Sequence, residues 1–160
     1  ESQNKIKTGG PFIAVSPYSN WKEKDWAIEK YFELFKNDFF KGYTIIFTGI
    51  SKDIPNREKF FKMIDDSSLN IFNLFDWGNL RHMIPIFNQC KFFIGSDSGL
   101  MHLAASTNCK TFALFGPTNE IVYGPWGDHK VIKSLNYPAI DDPLNLPVEK
   151  VLNIIKKEMG

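Results

Sequence analysis

Five short apolar runs, each separated from the next by a segment long enough for a helix, constrain this chain more than any other feature. They are Phe12 to Val15, Tyr43 to Phe47, Ile71 to Phe75, Phe92 to Ile94 and Thr111 to Phe115. Nearly continuous apolar runs of this length read as strands buried on both faces, because a strand with one wet face alternates apolar with polar residues. Parallel neighbours need a crossover between them, usually a helix, and the spacing leaves room for one. The expectation is an α/β fold, a Rossmann-like doubly wound parallel sheet with helices on both faces. Ligands in such sheets bind beyond the carboxyl ends of the strands.

The intervening segments carry helical spacing. Ile28, Tyr31, Phe32, Phe35 and Phe39 fall on one face of a first helix, with Asp25 placed to cap it. The closing segment puts Pro147 at the first helical position, then Val148, Val151, Leu152, Ile155 and Met159 on one stripe, with Lys156 and Lys157 at the carboxyl end. Leu80, Met83, Ile84 and Phe87 are also helically spaced. Pro85 among them lacks a backbone donor and clashes one turn back, which predicts a kink or a late start. The polar opening, ending in Gly9-Gly10-Pro11, makes residues 1–11 a linker or flexible leader and residues 12–160 one domain.

Composition excludes several classes. Nineteen basic against 18 acidic side chains leave a net charge of +1, too little for the electropositive field that nucleic-acid binding requires. No apolar run approaches the roughly 20 residues of a spanning helix, and the first residues lack the pattern of a signal peptide. A cytoplasmic protein is expected. Cys90 and Cys109 have no metal-ligand spacing and read as buried free thiols. Aromatic residues make up 15% of the chain, mostly phenylalanine, which argues for thick packing between layers before ligand stacking.

The chemistry is concentrated at strand ends. After Phe92-Phe93-Ile94 the chain runs Gly95-Ser96-Asp97-Ser98-Gly99-Leu100-Met101-His102 and enters a helical segment. Ser98 and Gly99 let a ligand approach the backbone, and the first amides of a new helix have no acceptors of their own, so they suit phosphate oxygens. Asp97 stands where a carboxylate accepts hydrogen bonds from sugar hydroxyls or from an amide, or else caps the helix. His102 faces either the ligand or the sheet. In the loop after the first strand, Ser19 offers a hydroxyl and Lys24 a point charge for a diphosphate, while Trp21 and Trp26 anchor the loop to the core. A third strand-end loop, Phe115-Gly116-Pro117-Thr118, brings Thr118 within reach of a phosphate or sugar. No phosphate-loop lysine motif, zinc helix or nucleophile elbow is present. Asp65-Asp66 and Asp141-Asp142 read as turns or helix ends, and neither a metal nor a cofactor is expected.

Taken together, Ser19 through Trp26, the turn from Ser96 to Ala105, and Leu114-Phe115-Gly116-Pro117-Thr118 followed by Gly124-Pro125-Trp126-Gly127 resemble the bacterial lipopolysaccharide heptosyltransferases, glycosyltransferase family 9. The resemblance implies the C-terminal half of a two-domain GT-B enzyme that transfers heptose from ADP-heptose to the lipopolysaccharide inner core. It implies that Ser19 and Lys24 contact the donor diphosphate, that Asp97 binds heptose hydroxyls, and that the amides of Ser98, Gly99 and Leu100 face phosphate with His102 beside them. Thr48, Gly49 and Trp77 become nucleotide neighbours. The acceptor site and the general base belong to the family's first domain, so this chain alone is expected to bind donor without transferring it. A peripheral position of the full enzyme at the inner face of the inner membrane goes with that reading. Two other readings share the architecture: half of a GT-B-like sugar-nucleotide epimerase, and a noncatalytic nucleotide-sugar-binding or assembly module.

Overall fold

A computed structural model describes residues 10–116, 129–133 and 145–160. Six strands, β1 (Phe12–Ser16), β2 (Thr44–Gly49), β3 (Ile71–Phe75), β4 (Cys90–Ser96), β5 (Lys110–Phe115) and β6 (His129–Lys133), form one sheet in the order β3-β2-β1-β4-β5-β6. Every pairing is parallel. The chain starts in the middle, winds outward to β3, then returns across β1 to continue the other way. The strand order therefore reverses between β1 and β4, and in open sheets of this kind that reversal opens a crevice at the carboxyl ends.

Alternation along the strands sorts the side chains into two cores. Ile13 and Val15 of β1, Ile45 and Phe47 of β2, and Phe92 and Ile94 of β4 point to one face, against α1 (Ile28–Phe35), α2 (Arg57–Asp66) and α5 (Val148–Met159). Ala14, Ile46, Leu74, Phe93 and Ala113 point to the other, against α3 (Leu80–Gln89) and α4 (Gly99–Ala105). Phenylalanine thickens the first layer: Phe47 meets Phe32 at 5.8 Å and Phe60 at 5.5 Å between ring centroids. The aromatic content is thus used in packing, and each large side chain buried there contributes about 1.5–3 kcal/mol.

All five expected strands are present, with ends shifted by a residue or two. Tyr43 precedes β2, and β4 extends to Cys90 and Ser96. The sixth strand was not expected. Its sequence His-Lys-Val-Ile-Lys buries Ile132 alone, as befits an edge strand with polar groups toward water. Phe39 lies past the end of α1 in a short 3-10 turn, and Leu34 is buried in the helix. Pro147 is the N-cap of α5, one position before the helix proper.

Two expectations about helix starts are corrected. Asp25 does not cap α1, which begins after Ala27 without a side-chain cap; the carboxylate is turned toward Ser19. No late start relieves Pro85, because α3 begins at Leu80 with a strong cap. Asn79 accepts from the Arg81 and His82 amides, and His82 Nδ1 accepts from the Asn79 amide. Pro85 is on the exposed side of α3, and Arg81, whose carbonyl loses its helical donor, is exposed too, so water can serve it. The expected apolar stripe also splits: Met83 and Phe87 are buried, while Leu80 and Ile84 are exposed.

Candidate functional site

A cleft of about 730 Å³ lies at the carboxyl edge of the sheet, where the strand order reverses. It is lined by Ser19 and Lys24 after β1, Thr48 and Gly49 at the end of β2, Trp77 after β3, and Asp97, Ser98, Gly99, Leu100 and His102 after β4. Ten of the site residues expected from sequence thus share one concavity, drawn from four strand ends. Thr118 lies outside the described residues, as do Gly124 to Gly127 and the Asp141-Asp142 pair.

The register explains why the first and last of these segments meet. Ser16 pairs with Gly95, so the loops leaving β1 and β4 start side by side. A side chain on Gly95 would come within 2.8 Å of the Ser16 carbonyl oxygen, so glycine permits this close approach. From the first loop, in a short 3-10 turn, Lys24 reaches across to Asp97, Nζ to Oδ2 3.2 Å. The lysine ammonium also stands 5.1 Å from the centre of the Trp21 ring, a cation-π contact. Trp21 therefore steadies Lys24, and the anchoring to the core falls to Trp26, fully buried with its indole N–H donating to the Leu146 carbonyl at 2.8 Å.

Asp97 is nearly buried and lies between two bases. His102 Nε2 is 3.5 Å from its other oxygen, Oδ1. The capping role falls to Ser98, whose hydroxyl accepts from the Met101 amide. That leaves Asp97 pointing into the cleft. Around Gly99, a side chain would meet nothing within 4 Å, so no protein atom demands glycine there and the space beside its Cα is open to a ligand.

The hydroxyls of the site are already committed in part. The Ser19 hydroxyl lies 2.8 Å from both Asp25 Oδ1 and the Trp21 carbonyl oxygen, which share its one proton, and the Ser19 amide donates to the same carboxylate oxygen. Asp25 thus shapes the loop that presents Lys24, a role sequence reasoning missed because the partner lies six residues back and follows no helical spacing. Thr48 donates to the Val15 carbonyl at 3.1 Å, joining β2 to β1 beneath the cleft. Ser16, at the end of β1, has a buried hydroxyl with no partner among the described residues, and the buried hydroxyl of Ser96 at the neighbouring strand end interacts with that of Tyr31. Burial first, then the nearby Asp25 carboxylate, hold the phenols of Tyr18 and Tyr31 above their ordinary range.

The far wall is different in kind. Ile50, Trp77 and Leu80 are each about half exposed or more, and with Leu74 and Met83 they form an apolar side to the cleft. The turn bearing Trp77 is set by Asp76, a non-glycine residue at φ 61, whose Oδ1 accepts from the Ser51 amide at 2.8 Å. Hydrogen bonds from the Ser51 side chain and backbone hold the Asp76 carboxyl below its ordinary range. Ile50 and Leu80 were missed; the signal available was their place just after a strand end or helix cap, where an apolar side chain has no core to enter. At Gly49, φ is 143 and an added side chain would strike the Phe75 ring at 2.8 Å, so packing demands glycine there independently of any ligand. Among the described residues there is no helix long and apolar enough to cross a membrane and no cluster of ligands for a metal ion.

The model of glycosyltransferase family 9 (heptosyltransferase) matches residues 1–144. Lipooligosaccharide heptosyltransferase 2 of Haemophilus influenzae is 28% identical over 134 residues, covering 82% of this chain and 39% of that protein. Lipopolysaccharide heptosyltransferase 2 of Escherichia coli K12 is 28% identical over 120 residues, covering 74% of this chain and 34% of the relative. In fold, the chain superimposes on E. coli ADP-heptose LPS heptosyltransferase II with a TM-score of 0.80 at 24% identity, over 98% of this chain and 48% of the other. It matches E. coli heptosyltransferase WaaC with ADP at 0.77 and 20% identity, over 98% and 47%. The chain thus spans about a third to two-fifths of the length of these sequence relatives and about half of the solved chains.

Proposed function

This chain belongs to glycosyltransferase family 9, and from that premise we propose that it is the C-terminal, donor-binding part of an enzyme that transfers heptose from ADP-heptose to the lipopolysaccharide inner core. The observation that carries the reading is the meeting of Lys24 and Asp97 within a cleft at the reversal of strand order. One is a cation suited to a diphosphate, the other a carboxylate suited to sugar hydroxyls, and a nucleotide-sugar presents those two groups in sequence.

In this reading Lys24 and the amides of Ser98, Gly99 and Leu100 hold the diphosphate, with His102 as a further donor. Asp97 takes the sugar hydroxyls. Ile50, Trp77 and Leu80 supply a flat apolar face for the base, with Thr48 and Gly49 beneath the nucleotide. Ser19 shapes the phosphate side through Asp25. In transfer, a base outside this chain takes the acceptor hydroxyl proton, the acceptor oxygen bonds to the anomeric carbon, and the bond from that carbon to the diphosphate oxygen breaks. Lys24 and the amides stabilise the charge that the leaving ADP gains. The full enzyme works in the cytoplasm, peripherally at the inner face of the inner membrane where the acceptor is built.

Calorimetric titration of the chain with ADP, UDP, GDP and ADP-heptose tests this. Selective binding of the adenine compounds, weakened by Lys24→Ala, is the expected result, together with no heptosyl transfer by the chain alone. No nucleotide affinity at millimolar ligand would favour an assembly module, and robust transfer by the isolated chain would refute the assignment of the base to another part of the protein.

A further inference from the structure

Building on the donor-site reading, we infer that the Lys24–Asp97 ion pair weakens the hold of the site on free nucleoside diphosphate, a cost that sugar hydroxyls on Asp97 offset when the nucleotide bears its sugar. In this structure the two groups assigned to adjoining parts of the donor hold each other: Lys24 Nζ lies 3.2 Å from Asp97 Oδ2, with side-chain exposures of 19% and 8%. A diphosphate that takes the ammonium must draw it from a carboxylate that is nearly out of water. Breaking a partly desolvated pair costs more than breaking an exposed one, because the remaining charge cannot be rehydrated fully.

The two side chains are unequal in how they can respond. Lys24 has a long flexible stem on a short 3-10 turn and can swing toward phosphate. Asp97 has a short side chain between the strand end and the Ser98 cap and stays in place, with His102 Nε2 3.5 Å from its other oxygen. What replaces the ammonium on Asp97 then depends on the ligand. The hydroxyls of an attached sugar donate hydrogen bonds and substitute for it. Free diphosphate brings only acceptor oxygens and one more negative charge, so it opens the pair with nothing to offer Asp97. The same asymmetry acts after transfer: once the sugar has gone, Asp97 draws Lys24 back and the nucleoside diphosphate leaves.

A double-mutant cycle read by calorimetry tests this, with ADP and ADP-heptose titrated into the chain, Asp97→Asn, Lys24→Met and the double variant, each checked for folding by thermal unfolding. Asp97→Asn is expected to tighten ADP, on the order of fivefold to tenfold, the ordinary size of a coupling between two sites, and to weaken ADP-heptose. In the Lys24→Met background the gain for ADP should disappear. If Asp97→Asn leaves ADP binding unchanged or weaker, or tightens it equally with and without Lys24, as plain charge repulsion would, the inference is wrong while the donor site stands. Should Asp97→Asn not fold, Asp97→Ser takes its place in the cycle, and the same outcomes for ADP with and without Lys24 support or overturn the inference. Failure of the unaltered chain to bind either ligand overturns the donor-site reading and this inference with it.

Discussion

The turn after β4 and the turn after β3 are built alike and present opposite chemistry. Each leaves a parallel strand, caps a helix with a polar side chain, Ser98 in one and Asn79 in the other, and opens onto the same cleft. The first presents a nearly buried carboxylate paired with lysine; the second presents Trp77 and Leu80, 48% and 59% exposed. Capping satisfies the backbone in both cases, so the residues beside the cap need not serve the helix end and can set ligand chemistry. The charged turn suits the part of a ligand that carries charge and hydroxyls, and the apolar turn suits a planar base.

That division can be broken by substitution. Lys24→Ala should have the largest effect, weakening ADP-heptose by roughly 1.5–3 kcal/mol, since a hydrogen bond to a charged group is lost; calorimetry on the folded variant reads it. Gly99→Ala should weaken the same ligand by about 1–3 kcal/mol by filling the space beside the phosphate. It should leave the urea midpoint unchanged or slightly higher, because nothing beyond its own helix backbone and chain neighbours lies within 4 Å of the added methyl. A fall in stability without a fall in affinity would show that Gly99 serves the fold. Trp77→Ala should cost ADP and ADP-heptose alike about 0.5–1.5 kcal/mol, the range of an aromatic stacking contact. Unequal losses would mean that the apolar turn also touches the sugar.

The smallest effect concerns the Asp76 carboxyl, which the Ser51 hydroxyl and amide hold below its ordinary range. Because its folded value is depressed, its contribution is present above the unfolded carboxylate value and is lost as pH falls through the folded value. Asp76 is highly exposed, so solvent screening limits the contribution to about a few tenths of a kcal/mol. Asp76→Asn should therefore flatten the acid limb of stability slightly, seen as a smaller change in the urea midpoint between neutral and acidic pH. An unchanged limb would show that the Ser51 contacts do not survive in solution.

Cys90 and Cys109 show how a conservative reading of the sequence fares. Both are free and buried, with burial pushing each thiol up to about 12, as expected of structural cysteines with no metal-ligand spacing. The strands with large apolar residues were equally legible, since burial on both faces leaves a local record. Strand β6 left almost none, because an edge strand buries only Ile132 and its remaining residues look like a loop. The apolar wall was half legible: Trp77 stood out at a strand end, whereas Leu80 looked like a core residue until α3 turned it outward.

The sequence by itself determined the order of strands and helices, the turn after β4, and the residue types available for an anionic ligand, because hydrophobic period and turn chemistry are written over a few neighbouring positions. Only the tertiary structure decided that Lys24 and Asp97, 73 residues apart, face one another, and that Asp25 shapes the loop instead of capping a helix. The physical reason is the order of the sheet. Returning across β1 to place β4 beside it brings two distant loops to one edge, and no local pattern in either loop encodes that adjacency.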